Sequence, residues 1–140
     1  MSQETRRLTA IICKIAAAAF ALLMVVIICI ANQGEGGRWW TFIDRIPYGD
    51  KLGHVGLMGT LCLLCNLAFF PRYLRFPRLP VTRVTAVLLL LVTLEEISQA
   101  FIPTRNFDPL DLLADVAGLA IGQAAGTFLR TRTFPQKHPI

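Results

Sequence analysis

Seventeen consecutive residues, Ile15 to Ala31, carry no charge, and the apolar run extends back through Leu8–Lys14. A helix rises about 1.5 Å per residue and needs about 20 residues to cross the hydrocarbon of a bilayer. Arg6 and Arg7 before such a run also suit a signal peptide. The run is too long for one, however, and lacks a clean small-x-small cleavage site, so it reads as a retained span over residues 11–31. Lys14 is accommodated only near the end of that span, its ammonium snorkelling to water. Three more apolar runs follow at 52–70, 84–102 and 110–129, and prolines punctuate them. Pro47 precedes the second run and Pro71 follows it; Pro77 and Pro80 precede the third and Pro103 follows it. Pro109 suits a first helical turn, where a missing N–H costs nothing, and Asp108 before it suits the cap.

The rest of the composition closes other routes. Among 140 residues, 54% are hydrophobic and 16% charged, with a mean hydropathy of +0.55. A disordered chain lacks that much apolar surface, and a soluble domain of this size cannot bury it. The net charge of +5 would point to nucleic acid only if the basic residues shared a face with polar or aromatic companions. They sit instead at the ends of apolar runs, which excludes nucleic acid as a partner and implies a lipid bilayer. Cys13, Cys29, Cys62 and Cys65 all lie in apolar stretches, where a thiol acts as a small hydrophobe. The Cys62-x-x-Cys65 pair lacks the second pair, or the histidines, of a zinc site.

Orientation follows from the same basic residues. Arg6, Arg7 and Lys14 precede the first span; Arg72, Arg75, Arg78 and Arg83 lie between the second and third; Arg130, Arg132 and Lys137 close the chain. These ten of the fourteen Lys and Arg fall on one side, against Arg38, Arg45, Lys51 and Arg105 on the other. The positive-inside rule then predicts an all-α polytopic membrane protein: a four-transmembrane-helix bundle, one domain over 1–140, with both termini cytoplasmic. Trp39-Trp40-Thr41-Phe42 and Tyr48 would lie along the outer interface or pack on the bundle.

That topology gathers the acids. Five of the nine fall between Glu95 and Asp115, and Asp50 opens the second span. Asp50 and His54, Glu95 and Gln99, and Asp111 and Asp115 are each four residues apart, so each pair shares a helix face. Glu96, about 100° round the helix from Glu95, is expected to reach towards the interface instead. Ionised acids within a span are costly unless they face a shared hydrated cleft. Six acids against Lys51 and Arg105 leave −4, or −3 with His54 charged, so such a cleft must raise some carboxyl pKa values or recruit a cation. A purely structural polar network is the alternative. On the fourth span, Gly118, Gly122 and Gly126 form a small-x-x-x-small stripe for helix packing, and Gly53, Gly56 and Gly59 offer a second set of small residues.

Taken together, Asp50-Lys51-x-x-His54, Glu95-x-x-x-Gln99, Pro103-x-Arg105, Asp108-x-x-Asp111 and Asp115-x-x-Gly118-x-x-x-Gly122 resemble the VanZ-like family over residues 50–122. Thr104 stands where that family often has Gly, and Asp115 where it often has Asn. The resemblance implies a small multi-pass protein of the bacterial cytoplasmic membrane, in a family whose founding member is associated with teicoplanin resistance. It supplies no reaction.

Two readings of the cleft result. In the first, Asp50, Lys51, His54, Glu95, Gln99, Arg105, Asp111 and Asp115 bind a lipid-linked or phosphate-bearing envelope ligand, with Arg105 and Lys51 pairing the anion. No cofactor is expected in that case. In the second, a membrane-embedded hydrolase or transferase uses His54, Glu95 or Asp111 in acid–base roles, with a divalent cation held by Asp111 and Asp115. No H-E-x-x-H, G-x-S-x-G or Gly-rich phosphate loop accompanies the second reading. Ligand identity and oligomeric state are not encoded in these patterns.

Overall fold

Helices form where the apolar runs lie. The computed structural model describes residues 3–34, 45–69, 72–74 and 80–133. Within them are α1 (Gln3–Asn32), α2 (Gly49–Ala68), α3 (Arg83–Gln99) and α4 (Pro109–Thr133). Trp39-Trp40-Thr41-Phe42, Arg75, Arg78 and Lys137 lie outside the described residues, so their expected places are not addressed.

Local chemistry sets the helix ends. After α1 the chain turns at Gly34, whose φ of 79° suits a residue without Cβ. Tyr48 enters the left-handed region at φ 59° just before α2, an uncommon conformation for a bulky residue. Thr82 caps α3, its hydroxyl accepting the Thr85 N–H at 3.1 Å. Asp108 does the same for α4, accepting the Leu110 N–H at 2.9 Å. The third helix stops at Gln99, three residues before its expected end, because the chain turns at Ala100 and Phe101 ahead of Pro103.

The α2–α4 seam is the axis of the bundle, and glycine makes it. A Cβ on Gly118 would stand 2.6 Å from the Val55 carbonyl oxygen, and one on Gly126 would stand 2.9 Å from Asn66 Cβ. A Cβ on Gly122 would run into the Gly59 carbonyl. The backbones therefore approach as only small residues permit. Of the small residues on α2, Gly59 alone joins the seam: Gly53 and Gly56 meet nothing within 4 Å. A spacing of three explains this, since it drifts round a helix of 3.6 residues per turn.

Helix α3 packs on α4 and α2, whereas α1 packs on α2. Among the described residues α1 and α3 do not come together, and the gap between them is floored by α2. Large apolar side chains face outward on every helix, including Ile12, Ile15 and Leu22 on α1 and Leu90, Leu91 and Leu94 on α3. Among the described residues three helices are long and apolar enough to cross a membrane: α1, α2 and α4. With 17 residues, α3 extends about 25 Å, short of the ~30 Å hydrocarbon thickness.

At the end where α2 finishes and α3 begins, buried polar groups close on one another. Asn66 donates to the Cys62 carbonyl at 2.9 Å and accepts from the Thr82 hydroxyl at 2.9 Å. Gln123 accepts the Thr82 N–H and donates to the Pro80 carbonyl, both at 2.9 Å. Arg130 caps α2, donating to the carbonyls of Asn66, Leu67 and Phe69. All four cysteines are free, and Cys62 is part of this cluster, donating to the Leu119 carbonyl at 3.3 Å.

Candidate functional site

Opposite that cluster, the start of α2, the end of α3 and the start of α4 come together. Lys51 reaches from α2 to three carboxylates, pairing with Asp50 at 2.9 Å and directly with Asp108 and Asp111. It is one of the two fixed cations set against the six acids. Its ammonium holds the Asp108 carboxyl below the ordinary carboxylate range. One helical turn further in, His54 Nδ1 lies 3.0 Å from Asp115 Oδ1, and its Nε2 lies 3.8 Å from Asp111 Oδ1. Lys51 with Asp111 and His54 with Asp115 are thus two rungs between α2 and α4, whereas Asp50 pairs only with Lys51 of its own helix.

The contribution of α3 runs through an amide relay. Gln99 donates its side-chain N–H groups to Glu95 at 3.0 Å and to Glu96 at 3.1 Å. Its carbonyl oxygen accepts from Arg105 Nε at 3.3 Å. Glu96 then accepts the Asp108 backbone N–H at 3.2 Å, tying α3 to the capping residue of α4. The Thr104 hydroxyl donates to the Asn32 carbonyl at 2.7 Å, which fastens the α3–α4 connection to the end of α1.

Glu96 therefore corrects the sequence expectation. It does not reach outward: it is fully buried, and it is a site residue that helical spacing missed. The signal was its adjacency to Glu95 together with Gln99 three residues on, a reach that helical neighbours share. Glu95 takes the more open position, half-buried at the edge of the gap.

That gap is a cavity of about 640 Å³ with two kinds of wall. Phe20, Met24, Ile27 and Ile28 of α1, Leu57 and Met58 of α2 and Val92 of α3 make it apolar along most of its length. Asp50, His54, Glu95, Arg105 and Asp115 make its other lining polar and charged. Lys51, Gln99 and Asp111 are not part of the lining; they stand behind it, bonded to residues that are. All eight expected binding residues thus belong to one connected assembly.

Among the described residues two buried side-chain oxygens lack a hydrogen-bond partner, Asn32 Oδ1 and Asp115 Oδ2, and only the second belongs to a carboxylate. The Asp115 side chain is 1% exposed, and its Oδ1 meets His54. A buried carboxylate oxygen without a donor is expensive and uncommon. Among the described residues no group of three or more His, Cys, Asp or Glu side chains is arranged to hold a metal ion. Asp111 and Asp115, the pair expected to hold one, engage Lys51 and His54 respectively.

Compared with known proteins, the chain matches no family model, no curated protein and no solved structure.

Proposed function

We propose that this chain is a VanZ-like bacterial cytoplasmic-membrane protein whose polar cleft faces outward and binds a lipid-linked or phosphate-bearing envelope ligand. In that reading all four helices span the membrane, α3 crossing as the shortest member, and both termini are cytoplasmic. The observation that carries the proposal is the two-walled cavity. Apolar residues of α1, α2 and α3 line one stretch, and Asp50, His54, Glu95, Arg105 and Asp115 line the other. An amphiphile has the same division, acyl chain and headgroup. Arg105 is the anion partner, because one guanidinium N–H serves Gln99 and four others point from the same planar fork. A role in glycopeptide (teicoplanin) resistance would follow if occupancy of the cleft changes what the outer surface presents.

Native mass spectrometry of the full chain, released gently from membranes, tests the binding claim. Phosphate-bearing lipid should be retained by the wild type and lost in Arg105→Ala; a wild type that retains none sinks the proposal. Reporter fusions at Thr104 and at the carboxyl tail test the topology, and a cytosolic signal at Thr104 would reverse it. Expression in a susceptible host, with and without His54→Ala, tests the link to teicoplanin.

A second reading, a membrane-embedded hydrolase or transferase, is favoured by one contact. Asp115 on His54 Nδ1 orients the imidazole and frees Nε2 for proton transfer. Turnover of a lipid-linked substrate that vanishes in His54→Gln, with ligand retention intact, would establish it.

A further inference from the structure

We infer that the ligand of this cavity carries a cationic amine as well as a phosphate, so that the site selects a zwitterionic aminophospholipid headgroup over a purely anionic one. The inference deepens the proposed lipid-binding reading and rests on it.

Charge on the cavity wall is the first observation. Its ionisable lining is Asp50, Glu95 and Asp115 against Arg105, with His54 as the titratable fifth member. With His54 neutral, three carboxylates face one guanidinium. Lys51 offsets only part of this, because its single ammonium is shared among Asp50 of the wall and Asp108 and Asp111 behind it. A phosphate without a counter-charge would add negative charge beside these acids, and like charges repel most strongly where they are buried, as Asp115 is. Arg105 can hold a phosphate, but the remaining wall favours a cation.

Asp115 Oδ2 is the second and independent observation. It belongs to a side chain only 1% exposed on the cavity wall, and it has no donor among the described residues. Oδ1 is occupied by His54 at 3.0 Å, so Oδ2 is the acceptor left for a ligand that the side chain turns to meet. A primary ammonium has three N–H donors on a compact charge and matches that oxygen. A quaternary ammonium has none. A glycerol headgroup offers hydroxyl donors but no positive charge. The apolar wall then takes the acyl chain, with Phe20, Met24 and Ile27 on one side and Leu57 and Met58 on the floor.

The test is lipid competition on the full-length protein in nanodiscs. Phosphatidylethanolamine, phosphatidylglycerol and phosphatidylcholine are offered in equal amounts, and retained lipid is read by native mass spectrometry. Phosphatidylethanolamine should be enriched at least about fivefold over each of the others. Asp115→Asn should bring that preference close to unity while phosphate-bearing lipid is still retained. Should Asp115→Asn fail to fold, Glu95→Gln on the same wall should reduce the preference in the same direction. Equal retention of phosphatidylglycerol by the wild type overturns the inference and leaves the lipid-binding reading standing. Retention of no phospholipid at all defeats that reading itself. Soluble phosphoethanolamine is the last arm: competition at concentrations equal to the lipid would show that acyl chains contribute nothing and would overturn the lipid assignment.

Discussion

The two ends of the bundle both bury polar side chains, and they do so in opposite ways. At one end Asn66, Thr82, Thr85, Gln123 and Arg130 bond to one another and to backbone carbonyls. All but Arg130 are neutral, and the chief role of Arg130 is to cap α2. At the other end six carboxylates, Lys51, His54 and Arg105 are crowded beside a cavity, and among the described residues one buried carboxylate oxygen is left without a partner. A closed network of matched groups stabilises and specifies a fold. A charged network left one donor short, next to space, is organised around something else. The contrast separates architecture from function within a single small chain.

The largest expected effect bears on neither end but on the seam that connects them. Gly122→Leu drives a side chain into the Gly59 carbonyl and Cys62. It should cost about 3 kcal/mol or more, and the readouts are folded yield and melting in detergent. If melting were unchanged, the α2–α4 contact would be wrong and both ends with it.

Next comes Lys51→Met, which strips three carboxylates of their shared cation. Removing one partner of a buried pair costs about 3–5 kcal/mol. The Asp50 and Asp108 side chains are 57% and 37% exposed, so solvent screens the pairs and a smaller loss is expected here. The pH dependence has a definite sign. Asp108 is held below its ordinary pKa, so its contribution is present above about pH 4 and is lost as pH falls through the lowered value. The gap between wild type and Lys51→Met should therefore narrow on acidification in thermal melts. A gap that widens would remove Lys51 from the centre of the cluster.

Asn66→Leu sharpens the comparison from the other side. It leaves the Thr82 hydroxyl without its acceptor and should cost about 1–3 kcal/mol, with retained lipid unchanged. Altered lipid retention would mean that the closed end is not merely architectural. The smallest stability effect belongs to Asp115→Asn, within about 1 kcal/mol, because the amide keeps an acceptor and removes a buried charge. A drop of several kcal/mol in its unfolding free energy would make Asp115 a structural residue.

Much of the site was legible in the sequence because it rests on local periodicity. The 111/115 spacing puts both side chains on one face of α4, and the structure sets them against Lys51 and His54 of α2, while Asp50 pairs with Lys51 instead of crossing to α4. Other features depended on helix azimuth, which no single helix encodes. Glu95 and Glu96 are adjacent, and only packing against α4 decides that the second is fully buried and bonded to the Asp108 N–H. Gly53, Gly56 and Gly59 look alike in sequence, and only Gly59 meets the partner helix. Asn66, Thr82, Thr85 and Gln123 gave no signal at all, since uncharged polar residues at the ends of apolar runs are ordinary.

Run length, proline placement and the depth of each charge are short-range properties, so the chain itself determined four helical runs and the approximate level of the polar groups, while the early end of α3 at Gln99 emerged only in the structure. Which carboxylates share Lys51, which glutamate is buried and where a cavity opens were decided by tertiary structure. The cavity exists because α1 leans on α2 and not on α3, a relation between surfaces far apart in sequence. Pairing across helices depends on their rotation and tilt, and those are set by glycine seams and side-chain volumes acting together rather than by any local pattern.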